Sequence, residues 1–380
     1  MNRIRLGMVG GGRDAFIGEV HRLAARIDGR FDLVAGALSS TPEKARESGA
    51  ALGLDPARTY ESFAAMAEAE AAREDGIEAV SIVTPNHVHW PAAREFLRRG
   101  IHVICDKPLT HTLEDAESYV AAVQDARRNG TVFVLTHNYT GYPMVRQARE
   151  MVANGDLGRI RVVQVEYPQD WLAEHVDEAE SKQAGWRTDP ARSGAGGSTG
   201  DIGTHAFNLA GFVSGLRAES LAADLQSFVA GRRVDDNAHV LLRYEGGARG
   251  MLWCSQVATG NENALKLRVY GEKGGLEWAQ EDPNYLWFTP LGQPRRLLTR
   301  NGAGATPGNR AASRTPGGHP EGYLEGFANI YADAAAMILA AREGRTAETL
   351  APTAEDGLDG VRFVDACVRS SHANAEWVEL

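Results

Sequence analysis

The sequence predicts an α/β amino-terminal domain, with a doubly wound parallel sheet, joined to an α+β carboxy-terminal domain built on a large, mostly antiparallel open sheet. Three observations predict it. Over the first 135 residues, short apolar runs alternate with amphipathic helical stretches, the texture of a parallel sheet covered on both faces. Beyond residue 144, β-like runs follow one another with few helices between them, which indicates antiparallel pairing. A chain of 380 residues is also too long for one simple core, and domain sizes favour two. The expected division is 1–140 and 141–380.

Strands are expected at residues 4–9, 31–38, 79–83, 102–105 and 131–135, each a short apolar run. Helices are expected near 19–27, 42–52, 60–73, 91–99 and 113–128, with Gly29, Gly53, Gly100 and Gly130 as terminators. The second domain begins with a helix at 144–154 and a strand at 160–167. A loop rich in Trp, Gly and Ser then leads to a short helix from Asp201 to about Ser214. Strands are expected near 221–229, 238–244, 250–257, 264–270 and 275–278. Residues 299–320, dense in Gly, Ala, Pro and Ser, read as a mobile excursion. Helices near 323–342 and 354–371 finish the chain.

A net charge of −10 argues against a nucleic-acid partner, which demands a basic surface. No apolar run is expected to span a bilayer, which takes about 20 residues. The start, Met1-Asn2-Arg3-Ile4-Arg5-Leu6, lacks the pattern of a secretory signal, so a cytoplasmic address is expected. Cys105, Cys254 and Cys367 are widely separated and odd in number, which reads as three buried thiols rather than a disulfide framework. No Cys/His spacing resembles a metal site.

Gly10-Gly11-Gly12 falls between a strand and a helix, where a pyrophosphate reaches bare backbone amides and a helix N-terminus. Gly10 and Gly12, with Ala15, Phe16 and Ile17 opening the next helix, are the candidate cradle. The second strand carries no terminal carboxylate of the kind that binds the ribose of NAD. It runs into Ser39-Ser40-Thr41, with Lys44 and Arg46 just beyond. Hydroxyls beside cations suit a 2′-phosphate, so the expected cofactor is NAD or NADP with the balance towards NADP. The same hydroxyls also suit a helix cap before Pro42. Thr84-Pro85-Asn86-His87-Val88-His89 follows another strand at the edge where ligands of such sheets collect. Asn86 there either flanks the cofactor or caps the helix beginning near His87.

Two further segments carry chemistry: Cys105-Asp106-Lys107-Pro108 at a strand end, and Asp201-Ile202-Gly203-Thr204-His205 behind a glycine-rich loop. If Asp201 opens a helix, His205 lies one turn on along the same face, and the carboxylate orients the imidazole. Each of these side chains also has a plain structural reading, as a solvated lysine, an N-cap carboxylate and a core histidine.

Together these segments resemble the Gfo/Idh/MocA oxidoreductases. The resemblance spans nearly the whole chain. It takes in the Gly10 loop, Thr84-Pro85-Asn86-His87 and Asp106-Lys107-Pro108, where most members have Glu-Lys-Pro. It continues through Gly196-Gly197-x-x-Gly200-Asp201-Ile202-Gly203-Thr204-His205, Asp235-Asp236-Asn237 and Tyr270-Gly271-Glu272-Lys273-Gly274-Gly275. Against the family's G-x-G-x-M-G-x-x-H, Ile17-Gly18-Glu19-Val20-His21 looks like the motif's end with three residues inserted after Gly12, leaving Gly18 and Ala15 as rival third glycines.

The resemblance implies that the chain oxidises a hydroxyl of a sugar, sugar derivative or inositol by hydride transfer to nicotinamide. It places Lys107, Asp201 and His205 around the reacting carbinol. Our assignment makes His205 the proton acceptor, Asp201 its orienting partner and Lys107 the oxyanion stabiliser, with Lys107 as base if its pKa is depressed. Thr84, Pro85, Asn86, His89, Asp106 and Lys107 are then cofactor-side candidates. Asn138, Tyr139, Trp186, Arg187 and His319 join the three as candidate substrate contacts, since an aromatic face beside polar groups suits a sugar or cyclitol ring. Family members also imply two alternatives, a redox-neutral glycoside hydrolase using NAD and a non-catalytic cofactor-sensing regulator. Association into a homodimer or homotetramer through the open sheet face is likewise implied.

Overall fold

The computed structural model describes residues 3–13, 15–174 and 182–380. The chain divides into two compact units, Met1–Gly141 with Phe327–Leu358, and Tyr142–Gly326 with Asp359–Leu380.

The first unit holds five parallel strands, β1 (Ile4–Gly10), β2 (Phe31–Ala37), β3 (Ala79–Val83), β4 (His102–Cys105) and β5 (Phe133–Leu135), in the order β2-β1-β3-β4-β5. β3 is buried along its whole length, as expected of a parallel strand covered on both faces. The strand order reverses between β1 and β3, and Gly10 pairs with Val83 there. The crevice at such a switch point is where open α/β sheets bind ligands.

The first unit is drawn from two stretches of the chain, Met1–Gly141 and Phe327–Leu358. Helix Tyr323–Arg342 contributes Tyr331, whose hydroxyl bonds Ser81 Oγ (2.9 Å) and His21 Nδ1 (2.8 Å). The same helix has 20 residues and a mean hydropathy of 1.2 over its most apolar window, enough by length and composition to cross a membrane. Buried Phe327, Ile330, Ala334 and Ile338 make it a core helix.

The second unit's sheet has nine strands. They are β6 (Ile160–Pro168), β7 (Ala218–Gln226), β8 (Asn237–Tyr244), β9 (Arg249–Ser255), β10 (Lys266–Gly271), β11 (Gly274–Ala279), β12 (Tyr285–Pro290), β13 (Arg296–Thr299) and β14 (Val378–Glu379). Their order is β13-β12-β11-β10-β6-β9-β8-β7-β14, antiparallel throughout except for β6 beside β9. Alternation sets its two faces. Val163, Val165, Leu252, Val240, Leu267, Leu276 and Leu286 are buried, whereas Leu241, Tyr270, Trp287 and Leu297 on the opposite face are exposed.

The excursion expected at 299–320 is pinned rather than mobile. Helix Pro307–Ala312 interrupts it, and Arg300 forms a buried ion pair with Glu321 at 3.0 Å. Glu321 Oε1 also accepts from Arg314 N, Thr315 N and Thr315 Oγ1.

Candidate active site

In the first unit, the Gly10 turn is shaped for backbone approach. Gly10 and Gly11 have φ of +77° and +68°, a region side chains disfavour. A Cβ on Gly12 would lie 2.6 Å from Leu38 O. The rivalry between Ala15 and Gly18 is resolved by packing. Helix Phe16–Ile27 runs so close to the turn that a Cβ on Gly18 would sit 2.3 Å from Gly11 Cα. Ala15 is the extended residue before the helix. Gly18 therefore does the work of a third glycine, close packing of helix on turn. Phe16 is exposed at the helix start, and Ile17 packs against the core cluster of Met8, Leu38, Leu54 and Val83. These residues fit a dinucleotide pyrophosphate, because a cradle that any Cβ would fill meets an N-terminal turn of free amides.

Ser39 Oγ accepts from Thr41 N at 3.1 Å, while Ser40 and Lys44 are exposed. Thr41, at the cap position of helix Pro42–Ala51, makes no side-chain cap bond. Arg46 is committed to Glu43 (3.1 Å) and Glu61 (3.0 Å). Around the next loop, helix Asn86–Leu97 starts at Asn86 itself with Pro85 in the cap position, so the capping reading of Asn86 fails. His89 is buried and bridges two loops, its Nε2 2.9 Å from Thr84 O and its Nδ1 2.8 Å from Pro108 O.

Asp106 accepts from Lys107 N and Thr136 Oγ1, both at 2.9 Å, and its Oδ1 lies 3.8 Å from His21 Nε2. The Lys107–Pro108 peptide is cis. Burial opposes ionisation of Asp106, but the His21 imidazole and the Lys107 ammonium outweigh it and hold the carboxyl at about 2. One methylene shorter than the family's Glu, Asp106 thus keeps its charge. Asn138 and Tyr139 are buried just past β5. Thr84 Oγ1 and Asn138 Nδ2 are buried with no protein hydrogen-bond partner among the described residues, as groups reserved for a ligand would be.

His137 was not anticipated. Burial first, and then the charge of Lys107, lower its pKa to about 3. Because the unfolded chain keeps an ordinary value of ~6.5, it takes up the proton first. This part of the stability is lost as pH falls from ~6.5 towards about 3. His137→Gln is expected to flatten the fall in denaturant midpoint between about pH 7 and about pH 5, and an unchanged slope would contradict this.

In the second unit, Asp201 does not open the helix as expected. The chain is already wound at Thr199, in a π-helical turn Thr199–Gly203 that runs into α-helix Thr204–Ser214. A wider turn breaks the 3.6-residue spacing that puts i and i+4 on one face. Asp201 Oδ2 accepts from Gln256 Nε2 at 2.9 Å and lies 3.3 Å from Arg187 Nε. The Arg187 guanidinium stands over the rings of Trp186 (4.3 Å) and Trp171 (5.9 Å). His205 is buried, its ring 6.4 Å from that of Tyr167. Tyr167 OH and Gln169 Nε2 both reach Asn263 Oδ1, and Trp171 Nε1 donates to Gln169 Oε1.

Trp186, Arg187 and Asp201 are thus brought together. His319 differs, with its ring exposed and its carbonyl held by Arg300 and Thr315. Sequence reasoning missed Gln256, Trp171 and the Tyr167–Asn263–Gln169 chain, whose only signal is position at or just beyond strand ends.

The sequence pattern of the oxidoreductase family GFO/IDH/MocA, NAD-binding Rossmann fold, matches residues 4–135. That of the GFO/IDH/MocA C-terminal domain matches residues 145–277. An uncharacterized oxidoreductase of Bacillus subtilis (strain 168), YfiI, is 36% identical over 99% of this chain and 97% of its own. The crystal structure of an oxidoreductase from Sinorhizobium meliloti is 62% identical, with a TM-score of 0.90 and full coverage of both chains. An inositol dehydrogenase homolog from Azotobacter vinelandii, complexed with NADH and myo-inositol, is 38% identical with a TM-score of 0.91, covering 100% of this chain and 98% of that one.

Proposed function

The chain belongs to the GFO/IDH/MocA family of NAD-binding oxidoreductases, and we propose that it oxidises a ring hydroxyl of a sugar, sugar derivative or inositol with NAD or NADP. The observation that carries this reading is that each unit holds one half of the chemistry. One has a glycine cradle with Lys107 beyond it, and the other has a buried histidine four residues after a carboxylate held by Arg187 and Gln256. The Azotobacter vinelandii relative, named for its NADH and myo-inositol, supports the substrate class.

A bound nicotinamide would supply the hydride acceptor. The backbone of Gly10, Gly12, Ala15, Phe16 and Ile17 receives the pyrophosphate. Ser39, Ser40 and Lys44 receive the adenosine ribose and admit a 2′-phosphate. Thr84, Pro85, Asn86, His89 and Asp106 flank the nicotinamide ribose. In that reaction His205 would take the hydroxyl proton of the carbinol, Asp201 would support the imidazolium, and Lys107 would stabilise the developing alkoxide. Asn138, Tyr139, Trp186 and Arg187 contact the remaining hydroxyls and the ring face.

The test is formation of reduced nicotinamide from NAD or NADP across inositols, aldoses, aldonates and anhydro-sugars. Turnover of at least one member supports the proposal. Silence across the panel, with nitrophenyl-glycosides cleaved by protein that retains NAD, would replace it with the redox-neutral hydrolase.

We further propose that the protein is a homodimer or homotetramer joined through the open sheet face, where Leu241, Tyr270, Trp287 and Leu297 are 37–54% exposed. Leu241→Arg is expected to shift light scattering towards a monomer. A wild-type monomer at micromolar concentration would defeat the proposal.

A further inference from the structure

Asp235 is buried, and its carboxylate accepts four hydrogen bonds. Gly197 N (2.7 Å) and Thr199 Oγ1 (2.8 Å) reach Oδ1, and Ser198 Oγ (2.6 Å) and Thr199 N (2.9 Å) reach Oδ2. Its own carbonyl accepts from Ser198 N at 2.8 Å. The approach is so close that a Cβ on Gly197 would lie 2.0 Å from that carbonyl. All four donors, two backbone amides and two hydroxyls, are uncharged. What favours a carboxylate here is its place at the N-terminus of the wound segment Thr199–Ser214, where orphan amides and the helix dipole meet.

The next residue holds the other side of the same site. Asp236 O accepts from Gln256 N at 2.8 Å, and Gln256 in turn donates its side-chain amide to Asp201. Asp236 is itself fixed by Phe228 N, Val229 N and Arg232. Asp201 N hangs from Gly197 O at 2.9 Å. The backbone that carries Asp201 and the side chain that grips it are therefore both suspended from one dipeptide, Asp235-Asp236.

We infer that Asp235 is a positioning residue for the proton-handling pair. It touches neither substrate nor cofactor. It fixes the start of the π-helical turn, and with it the placement of Asp201 and, two residues past the turn's end, His205. The inference rests on the proposed reading of Asp201 and His205. Asparagine keeps one acceptor oxygen and turns an N–H₂ towards two of the four donors, which leaves buried groups unpaired and lets the turn shift.

The test compares Asp235→Asn, Asp235→Glu and His205→Ala in the full chain, using a sugar that the wild type oxidises. For Asp235→Asn, kcat is expected to fall by about 10²-fold, the scale of a misplacement of about 1 Å. Its kcat/KM–pH limb is expected to move, with NADH affinity by protein fluorescence within about twofold of wild type, and Asp235→Glu to recover part of the loss. If Asp235→Asn does not fold, Ser198→Ala with Thr199→Val removes the two hydroxyl donors, and a lowered kcat with a displaced pH limb is expected instead. Loss of activity in His205→Ala alongside a near wild-type Asp235→Asn overturns this inference alone. So does an Asp235 variant of lower melting temperature whose pH limb stays in place. A wild-type-like His205→Ala overturns the underlying reading.

Discussion

Replacing His205 with alanine is expected to lower kcat/KM for sugar oxidation by about 10²–10⁴-fold, the range for a positioned proton acceptor. NADH affinity is expected to stay within about twofold, since the glycine turn and its helix are unchanged. His205 is buried beside Tyr167 and follows a turn pinned at its start, so alanine removes the imidazole while the turn keeps its anchor. Lys107→Met separates the two candidate bases. As oxyanion stabiliser, Lys107 is worth about 10²–10³-fold in kcat, and the acid limb of the pH–rate profile should survive its loss. With His205→Ala that limb should vanish. The reverse pattern would make Lys107 the base. Kinetics at saturating cofactor across the pH range check both.

Gly18→Val is the second large effect. Its Cβ would meet Gly11 Cα at 2.3 Å and Gly11 O at 2.4 Å, backbone that does not yield as a flexible side chain does. Either the helix withdraws from the turn or the turn deforms, at a cost of about 1–3 kcal/mol. NADH binding is expected to weaken by at least about tenfold, because the amides of the helix start lose their alignment with the glycine turn. Ala15→Gly, at a position with no cap bond, is expected to change NADH affinity by no more than about twofold. Fluorescence titration with NADH checks the pair, and equal losses in the two variants would contradict the assignment of Gly18.

What the sequence made legible follows the reach of each signal. The five parallel strands and the glycine turn are local patterns, and they lie where expected to within about two residues. Strand β12 went unread because Tyr285-Leu286-Trp287-Phe288 is apolar at every position and shows no alternation, although only one face is buried, around Leu286; β13 went unread because Arg296–Thr299 is four residues long with none of them buried. The segment at 299–320 looked mobile by composition. Its order comes from Arg300 and Glu321, partners that become a buried pair only once the chain has folded. The same holds for Tyr331, whose bonds to Ser81 and His21 span 250 and 310 residues. At Asp201, a helix was expected with ordinary 3.6-residue spacing, and the π-helical turn is invisible to that periodicity. Gln256 and Trp171 carried no motif and gain meaning only beside Asp201 and Arg187.

The central claim is net hydride transfer from a carbinol carbon, and it is tested most directly by following the label from a substrate deuterated at that carbon. Our account predicts deuterium at C4 of the accumulating reduced nicotinamide, formed one for one with ketone or lactone and lost in His205→Ala. Deuterium returned to a sugar product, with no accumulated reduced nicotinamide, would contradict it.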